Sequence, residues 1–245
     1  MLTQYRLILK PDGLPPPRQE WAYRLYAALL ARAPADFAAL AHEDAVTPVS
    51  QFLTVREQDE LCWTVNLLGA RSEANLSELL EDLTRLELER GGCVTVTERS
   101  CKSIPDVDAL FSLAEQISGL HRLAFRTPTA FKSKGQYLNL PTTRLILQSL
   151  IRKWNGSITE CPIEDEDGQG LETLAAGILC SGFRLQGRSY HLKGKPIPAF
   201  VGNVVLENRL EGFHRLLADA LLQFSAFAGV GIKTTLGMGG VERTE

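Results

Sequence analysis

A glycine-rich segment and four histidines are the parts of this 245-residue chain whose residue types could support chemistry. The segment reads Gly229-Val-Gly-Ile-Lys-Thr-Thr-Leu-Gly237-Met-Gly-Gly, so five glycines, one lysine and two threonines share twelve residues. Glycine adopts positive φ and lets another backbone approach closely, so such a loop can present N–H groups to a phosphate.

The spacing of these glycines excludes the familiar nucleotide-binding loops. A phosphate-binding P-loop needs four residues between its glycines, whereas five separate Gly231 from Gly237, and Met238 follows where lysine should stand. The dinucleotide-binding fingerprint fails for lack of a third glycine at the right distance. We therefore expect that the protein binds no nucleotide and no other cofactor. The spacing does not exclude that the loop contacts a nucleic-acid backbone.

Histidine is suited to moving protons near neutral pH, because its unperturbed pKa is about 6.5. His42 follows the first predicted helix, and His191 lies in a basic hairpin. His121 and His214 fall on elements expected beside a core, so we assign them structural roles. The five cysteines form no CxxC pair and no HxxEH array exists, so we expect neither a disulfide framework nor a metal site.

Charge is unevenly distributed along the chain. Residues 1–115 carry 11 Lys/Arg and 18 Asp/Glu, whereas residues 116–245 carry 15 Lys/Arg and 11 Asp/Glu. Residues 116–159 and 173–206 contain no acidic residue at all. This segregation is typical of a surface that binds a polyanion, although solvated basic faces would give the same pattern.

The first half predicts the order β-α-β-β-α-β of a ferredoxin-like domain, the fold that also underlies RNA-recognition modules. A strand begins at Leu2, a helix covers 18–33, and strands at 46–56 and 61–68 form a hairpin. An amphipathic helix is predicted over 72–89, and a last strand begins at Cys93. The fold class predicted is therefore α+β.

The second half repeats this plan, with a strand at 120–125 and helices at 142–154 and 172–179. A hairpin follows from 183–190 and 199–206, then a helix at 211–224, the glycine-rich loop and a strand near Val241. We predict two tandem ferredoxin-like domains, 1–115 and 116–245, the first acidic and the second basic with the C-terminal glycine-rich loop.

Two motifs resemble those of the RAMP superfamily of CRISPR-associated proteins. One is a helix followed by Phe227-Ala-Gly-Val-Gly, five residues, and Gly237-Met-Gly. The other is Leu123-Ala-Phe-Arg-Thr-Pro-Thr-Ala-Phe-Lys-Ser-Lys-Gly, followed by Gln-Tyr and later Pro141, which looks like the start of the superfamily's second domain. The match covers essentially the whole chain. It is nearest to the endoribonuclease branch that cuts precursor CRISPR RNA within each repeat.

The resemblance implies roles for particular residues. His42 stands where that family places its catalytic histidine, and Tyr26 where it often has a tyrosine near the active site. Family members often carry a lysine shortly after the histidine, but residues 43–55 contain none. Lys233 on the glycine-rich loop is a candidate to stabilise the transition state instead.

RNA supplies its own nucleophile, the 2′-hydroxyl beside the scissile phosphate, so an acid and a base can cleave it without a metal. We expect an endoribonuclease that leaves a 2′,3′-cyclic phosphate and a 5′-hydroxyl. The alternatives are a catalytically silent RAMP subunit that binds guide RNA in an effector complex, and a protein-interaction domain with no RNA role. The predicted RNA contacts are Lys132, Lys134, Arg188, Lys193, Gly229, Gly231, Lys233, Gly237 and Gly239.

The expected partner is CRISPR repeat RNA. Other CRISPR-associated proteins and a second copy of the chain, in a homodimer, are further candidate partners. The sequence has no apolar run as long as a membrane span and no basic-then-apolar signal segment at its start, so we expect a cytoplasmic protein that contacts no membrane.

Overall fold

Two antiparallel sheets with equivalent strand orders organise the chain. The computed structural model describes residues 2–13, 18, 19, 21–43, 47–55, 60–89 and 91–244, without the side chains of residues 40–43. In the first half the elements are β1 (Leu2–Asp12), α1 (Trp21–Leu30), α2 (Ala35–Glu43), β2 (Val49–Val55), β3 (Leu61–Leu68), α3 (Ala70–Glu81), β4 (Arg85–Glu87) and β5 (Cys93–Ile104).

The first sheet has the strand order β2-β3-β1-β5-β4. Its inner strand β1 pairs antiparallel with β3 from Leu2 opposite Leu68, and with β5 on the other side. Removing the short edge strand β4 leaves the four-stranded order of a ferredoxin-like domain, as predicted. The helix α2 was not predicted from the sequence.

The helix predicted over 72–89 is wrong at its C-terminal end. It stops at Glu81, and the chain then adds the edge strand β4, in which Leu86 lies opposite Val94. Leu83 and Leu86 are both buried in the first domain. Their burial continues the apolar pattern of the helix, so the periodicity gave no sign that the secondary structure had changed.

The second half has the predicted elements in the predicted order, together with further elements that were not predicted. Its elements, in chain order, are α4 (Val107–Glu115), β6 (Leu120–Thr129), β7 (Phe131–Ser133), β8 (Gln136–Leu138), α5 (Thr143–Ser157), α6 (Gln169–Ala176), β9 (Ile178–Leu192), β10 (Lys195–Asn208), α7 (Gly212–Ala228), a 3-10 turn (Thr234–Leu236) and β11 (Val241–Thr244). The sheet order β11-β6-β10-β9 is again ferredoxin-like, and β7 and β8 form a separate hairpin. The tandem ferredoxin-like fold is thus confirmed.

Each sheet has its own hydrophobic core. The first core packs α1 and α3 on one face of the first sheet around Trp63 and Leu76. The second gathers apolar residues of α4, α5, α6 and α7 on one face of the second sheet, including Leu110 of α4. Since α4 precedes residue 116, part of the predicted first domain packs with the second core; the boundary itself stays a prediction.

A buried polar cluster lies under the start of the second sheet. The His121 Nε2 atom is 2.6 Å from Asp219 Oδ1, and Asn208 Nδ2 donates to the same carboxylate at 2.7 Å. His121 is fully buried and Asp219 nearly so. This position agrees with the structural role expected for His121, whereas His214 is exposed in the first turn of α7.

No helix of the described residues is long and apolar enough to cross a membrane.

Candidate functional site

A cationic cleft of about 870 Å³ opens where the two domains and the glycine-rich loop meet. Its basic lining residues are Lys132, Arg152, Lys153, Lys193 and Lys233. Among the described residues, no Asp or Glu lines it. Closely spaced cations without acidic partners create a positive potential that attracts a polyanion. Three of the five, Lys132, Lys193 and Lys233, were predicted as RNA contacts from the sequence.

The backbone amides of the glycine-rich loop point into the protein at three predicted contact positions. The N–H of Gly229 donates to Ser225 O at 2.9 Å, and the N–H of Gly239 donates to Pro128 O at 3.1 Å. The N–H of Gly231 donates to the Ser149 hydroxyl at 2.8 Å. The expectation that these three amides face a phosphate is therefore corrected.

Close packing explains why these positions are glycine. A Cβ atom on Gly231 would overlap the carbonyl of Ala130, and one on Gly239 would overlap the carbonyl of Val230. At Gly237 it would lie 2.5 Å from Ala22 Cβ and 2.8 Å from the hydroxyl of Tyr190. All three glycines also have positive φ. The glycines let the loop fold tightly against both domains.

Two buried side chains attach the far part of the loop to the rest of the protein. Gln51 Nε2, on β2, donates to Thr235 O at 2.9 Å and to Ala22 O at 3.0 Å. The Tyr190 hydroxyl, on β9, donates to Leu236 O at 2.5 Å. The loop is thus bonded to the first domain by Gln51 and to the second by Tyr190. Tyr190 is fully buried, so its ring packs inside the protein and does not stack on bases.

The C-terminal end of α7, where the loop begins, is capped by side chains. Gln4 Nε2 donates to Ala226 O at 3.1 Å, and the Ser50 hydroxyl donates to Phe227 O. Lys153 Nζ donates to Ala228 O at 3.1 Å and Gly229 O at 3.0 Å. These bonds satisfy carbonyls that the end of a helix leaves without partners. Burial lowers the pKa of Lys153 well below its ordinary value, and neighbouring Arg152 lowers it further.

Two predicted contacts lie at the tips of hairpins. Lys134 and Lys193 each precede a glycine in a two-residue turn, one joining β7 to β8 and the other β9 to β10. Both have positive φ, 46° and 50°, as does Lys233 at 57°. Lys193 Nζ also lies 5.3 Å from the ring centroid of Tyr23, a cation–π contact at the cleft.

Lys134 and Arg188 are exposed but are not among the cleft's lining residues. Arg188 stands on β9 opposite Ala199, five residues before the hairpin tip. Their roles as RNA contacts stay predictions.

The histidine predicted to be catalytic lies near this cleft along the chain. The backbone of His42 is in the last turn of α2, and its side chain is outside the described residues. The described chain resumes at Thr47, which lines the cleft. His191 is exposed on β9, two residues before Lys193.

Tyr26 lies in the first hydrophobic core, 4% exposed, and burial raises the pKa of its hydroxyl. It is not among the residues that line the cleft, and its hydroxyl has no hydrogen-bond partner among the described residues. Tyr23, three residues earlier on α1, lines the cleft instead. The burial of Tyr26 favours a packing role, and its predicted catalytic role remains untested.

Sequence reasoning missed Tyr23, Ser149 and Lys153 as site residues. The helical period gave a usable sign for Tyr23, because the buried positions Ala22, Leu25 and Leu29 leave position 23 off the packed face. The partners of Ser149 and Lys153 lie more than 70 residues away in the chain. No local pattern marks such contacts.

Comparisons with known proteins agree with the fold and the motifs. A family model described as CRISPR-associated endoribonuclease Cas6 matches residues 123–241. The Cas6 endoribonuclease of Streptococcus thermophilus is 28% identical over 239 residues, which cover 94% of this chain and 93% of that protein. The Cas6 endoribonuclease of Mycobacterium tuberculosis is 30% identical over 222 residues, which cover 89% and 69%.

Among solved structures, a Cas6 product complex superposes with a TM-score of 0.80. It is 25% identical in sequence, and the superposition covers 100% of this chain and 99% of that one. The likeness therefore spans both domains and the loop between α7 and β11.

Proposed function

Because the chain belongs to the Cas6 family of CRISPR-associated endoribonucleases, we propose that it cleaves CRISPR repeat RNA in the cleft beside the glycine-rich loop, without a metal ion. The observation that carries this proposal is the cleft itself, which is lined by five basic residues and, among the described residues, by no acidic one. The backbone of His42 lies at the end of helix α2, five residues before Thr47, which lines the cleft. The Cas6 structure on which this chain superposes is a product complex, and the product of an endoribonuclease is RNA, which supports RNA as the ligand.

The chemistry starts from the RNA. A base removes the proton of the 2′-hydroxyl, the oxygen attacks the neighbouring phosphorus, and an acid protonates the leaving 5′-oxygen. The products are a 2′,3′-cyclic phosphate and a 5′-hydroxyl. His42 serves as the acid or base, because imidazole takes up or releases a proton near neutral pH.

Negative charge on the phosphate increases in the transition state, so a cation held beforehand at that point lowers the barrier. Lys233 is the candidate, since it lines the cleft and its backbone is anchored on both sides by the loop's hydrogen bonds. Lys132 and Lys193 bind flanking phosphates within the cleft. Lys134 and Arg188 extend the basic surface beyond it.

The decisive experiment measures single-turnover cleavage of labelled repeat RNA in excess EDTA. We expect wild type to cleave, and the His42→Ala variant to be slower by about 10²- to 10⁴-fold, the usual contribution of general acid–base catalysis. His214→Ala is the matched control, because His214 is exposed in the first turn of α7 and outside the cleft. Unchanged cleavage by the His42 variant would remove that residue from the mechanism.

Two further observations on the same reaction test the proposed product ends and the independence from metal ions. The upstream fragment should have the mass of a 3′-phosphate less one water, which identifies the cyclic phosphate. Loss of cleavage in EDTA would refute the metal-free route. Tight RNA binding by wild type with no cleavage under any condition would favour the silent guide-RNA-binding subunit instead.

A further inference from the structure

Helix α5 carries two polar residues that hold the first part of the glycine-rich loop. Ser149 and Lys153 are four residues apart and therefore lie on the same face of the helix. The Ser149 hydroxyl accepts the N–H of Gly231 at 2.8 Å, and Lys153 Nζ donates to the carbonyls of Ala228 and Gly229. The α5 side chains thus bond three of the four residues from 228 to 231.

The loop reaches the cleft immediately after these contacts. Gly231 and Lys233 are separated only by Ile232, whose N–H donates to Ala130 O at 2.9 Å. Lys233 then adopts positive φ, and its carbonyl accepts the N–H groups of Leu236 and Met238. Few free torsions remain between the α5 contacts and Lys233, so moving the start of the loop displaces the Lys233 side chain.

Packing alone does not call for a lysine at position 153. A buried ammonium is unfavourable unless it is paired, and apolar residues of similar volume often replace buried charged groups without loss of stability. Lys153 is only 8% exposed, and its nitrogen is bonded to the two loop carbonyls rather than held out toward the cleft. Its distinctive property is therefore the geometry that it imposes on the loop.

We propose that Ser149 and Lys153 are positioning residues for RNA binding and cleavage, acting by fixing the loop so that Lys233 meets the phosphate. The inference rests on the proposed function of the cleft. It differs from a role for Lys153 as a direct phosphate contact, because it makes the effect of Lys153 depend on Lys233.

A double-mutant cycle tests this dependence. RNA dissociation constants are measured for wild type, Lys153→Met, Lys233→Ala and the double variant, with single-turnover rates at saturating protein. We expect Lys153→Met and Lys233→Ala each to weaken RNA binding about fivefold. The double variant should bind RNA only slightly more weakly than either single variant. Such a coupling is larger than the deviations from additivity seen between independent sites. Methionine keeps an unbranched side chain that reaches to the Cε position of lysine and removes the ammonium group.

Lys132→Ala supplies the matched control, since Lys132 lines the same cleft but is carried by β7 and not by the loop. Its effect on RNA affinity should multiply with that of Lys153→Met. Lys10→Met, on exposed Lys10 of β1, controls for the substitution type and should leave affinity unchanged.

Ser149→Ala provides a second route if Lys153→Met does not fold. It removes the acceptor of the Gly231 N–H while leaving every charge in place, and it should likewise reduce the effect of Lys233→Ala. Suppose that wild type binds and cleaves the RNA, but the effect of Lys233→Ala on the RNA dissociation constant multiplies with the effects of both α5 variants. That result would overturn the positioning role and leave the proposed function intact. If wild type fails to bind repeat RNA, the proposed function and this inference are both overturned.

Discussion

Among the described residues, lysine occupies the left-handed region at three positions, and replacing Lys193 with asparagine should relieve an unfavourable backbone conformation while weakening RNA binding. At the β9–β10 turn, Lys193 and Gly194 both have positive φ, the pattern of a type I′ hairpin in which asparagine commonly precedes glycine. An ordinary L-residue in this conformation is destabilised by about 1–2 kcal/mol, whereas asparagine tolerates it. Lysine is thus an unfavourable choice on conformational grounds.

The comparison that isolates this effect is Lys193→Asn against Lys193→Gln. Both variants lose the charge and the cation–π contact with Tyr23, but only asparagine relieves the backbone. We expect the asparagine variant to be more stable than the glutamine variant by about 0.5–1 kcal/mol. For a chain of this length that difference corresponds to roughly 1–4 °C in Tm.

RNA binding should not distinguish the two variants. Each loses one phosphate contact, so the slope of the logarithm of the binding constant against the logarithm of salt concentration should fall by about 0.7 to 0.9 for both. Thermal unfolding and fluorescence anisotropy with labelled repeat RNA at several salt concentrations give the two quantities. The reasoning is refuted if the two variants melt together, or if either binds RNA as tightly as wild type with an unchanged salt slope.

Three further predictions concern stability. Gly237→Ala should lower the free energy of unfolding by more than Gly168→Ala in urea denaturation, because both glycines have positive φ but only at Gly237 does a Cβ meet neighbouring atoms; equal losses would contradict this packing. Because burial lowers the pKa of Lys153 below its ordinary 10.5, unfolding takes up a proton between the folded pKa and 10.5. Wild type should therefore gain stability relative to Lys153→Met as pH rises through that window, and a constant difference in Tm would refute it. Asp219→Ala leaves His121 and Asn208 buried without their shared acceptor, and each unsatisfied group should cost about 1–3 kcal/mol in chemical denaturation; a total loss under about 1 kcal/mol would show that the cluster contributes little.

The order of elements could be read from the sequence because both halves follow local rules. Alternating apolar residues marked the long strands, and apolar spacing marked α1, α3, α5 and α7. The same rules gave a wrong prediction where a helix and the strand after it share one apolar pattern. Leu83 and Leu86 continue the apolar face of α3 but lie beyond its end, and only the pairing of residues 85–87 with β5 reveals the edge strand.

The site could be predicted only in part, for a related reason. Charge is visible along the chain, so Lys132, Lys193 and Lys233 were found as cations of one region. The direction in which a backbone amide points cannot be read from the sequence. Whether an amide of the loop faces RNA or protein depends on Ser149 and Pro128, which are remote in sequence and close in space.

The backbone and the side chains of the glycine-rich loop have different roles. The amides of Gly229, Gly231 and Gly239 bond to the protein, so they fix the loop in place and are not held ready for a ligand. The positive charge of Lys233 remains for the cleft. In the proposed function, such a loop would bind a phosphate through a cation whose position is set in advance. This preorganisation would favour the transition state because little rearrangement accompanies the reaction. For the proposed function, Gly229, Gly231 and Gly239 would therefore matter through the packing that they permit, and not through N–H groups offered to RNA.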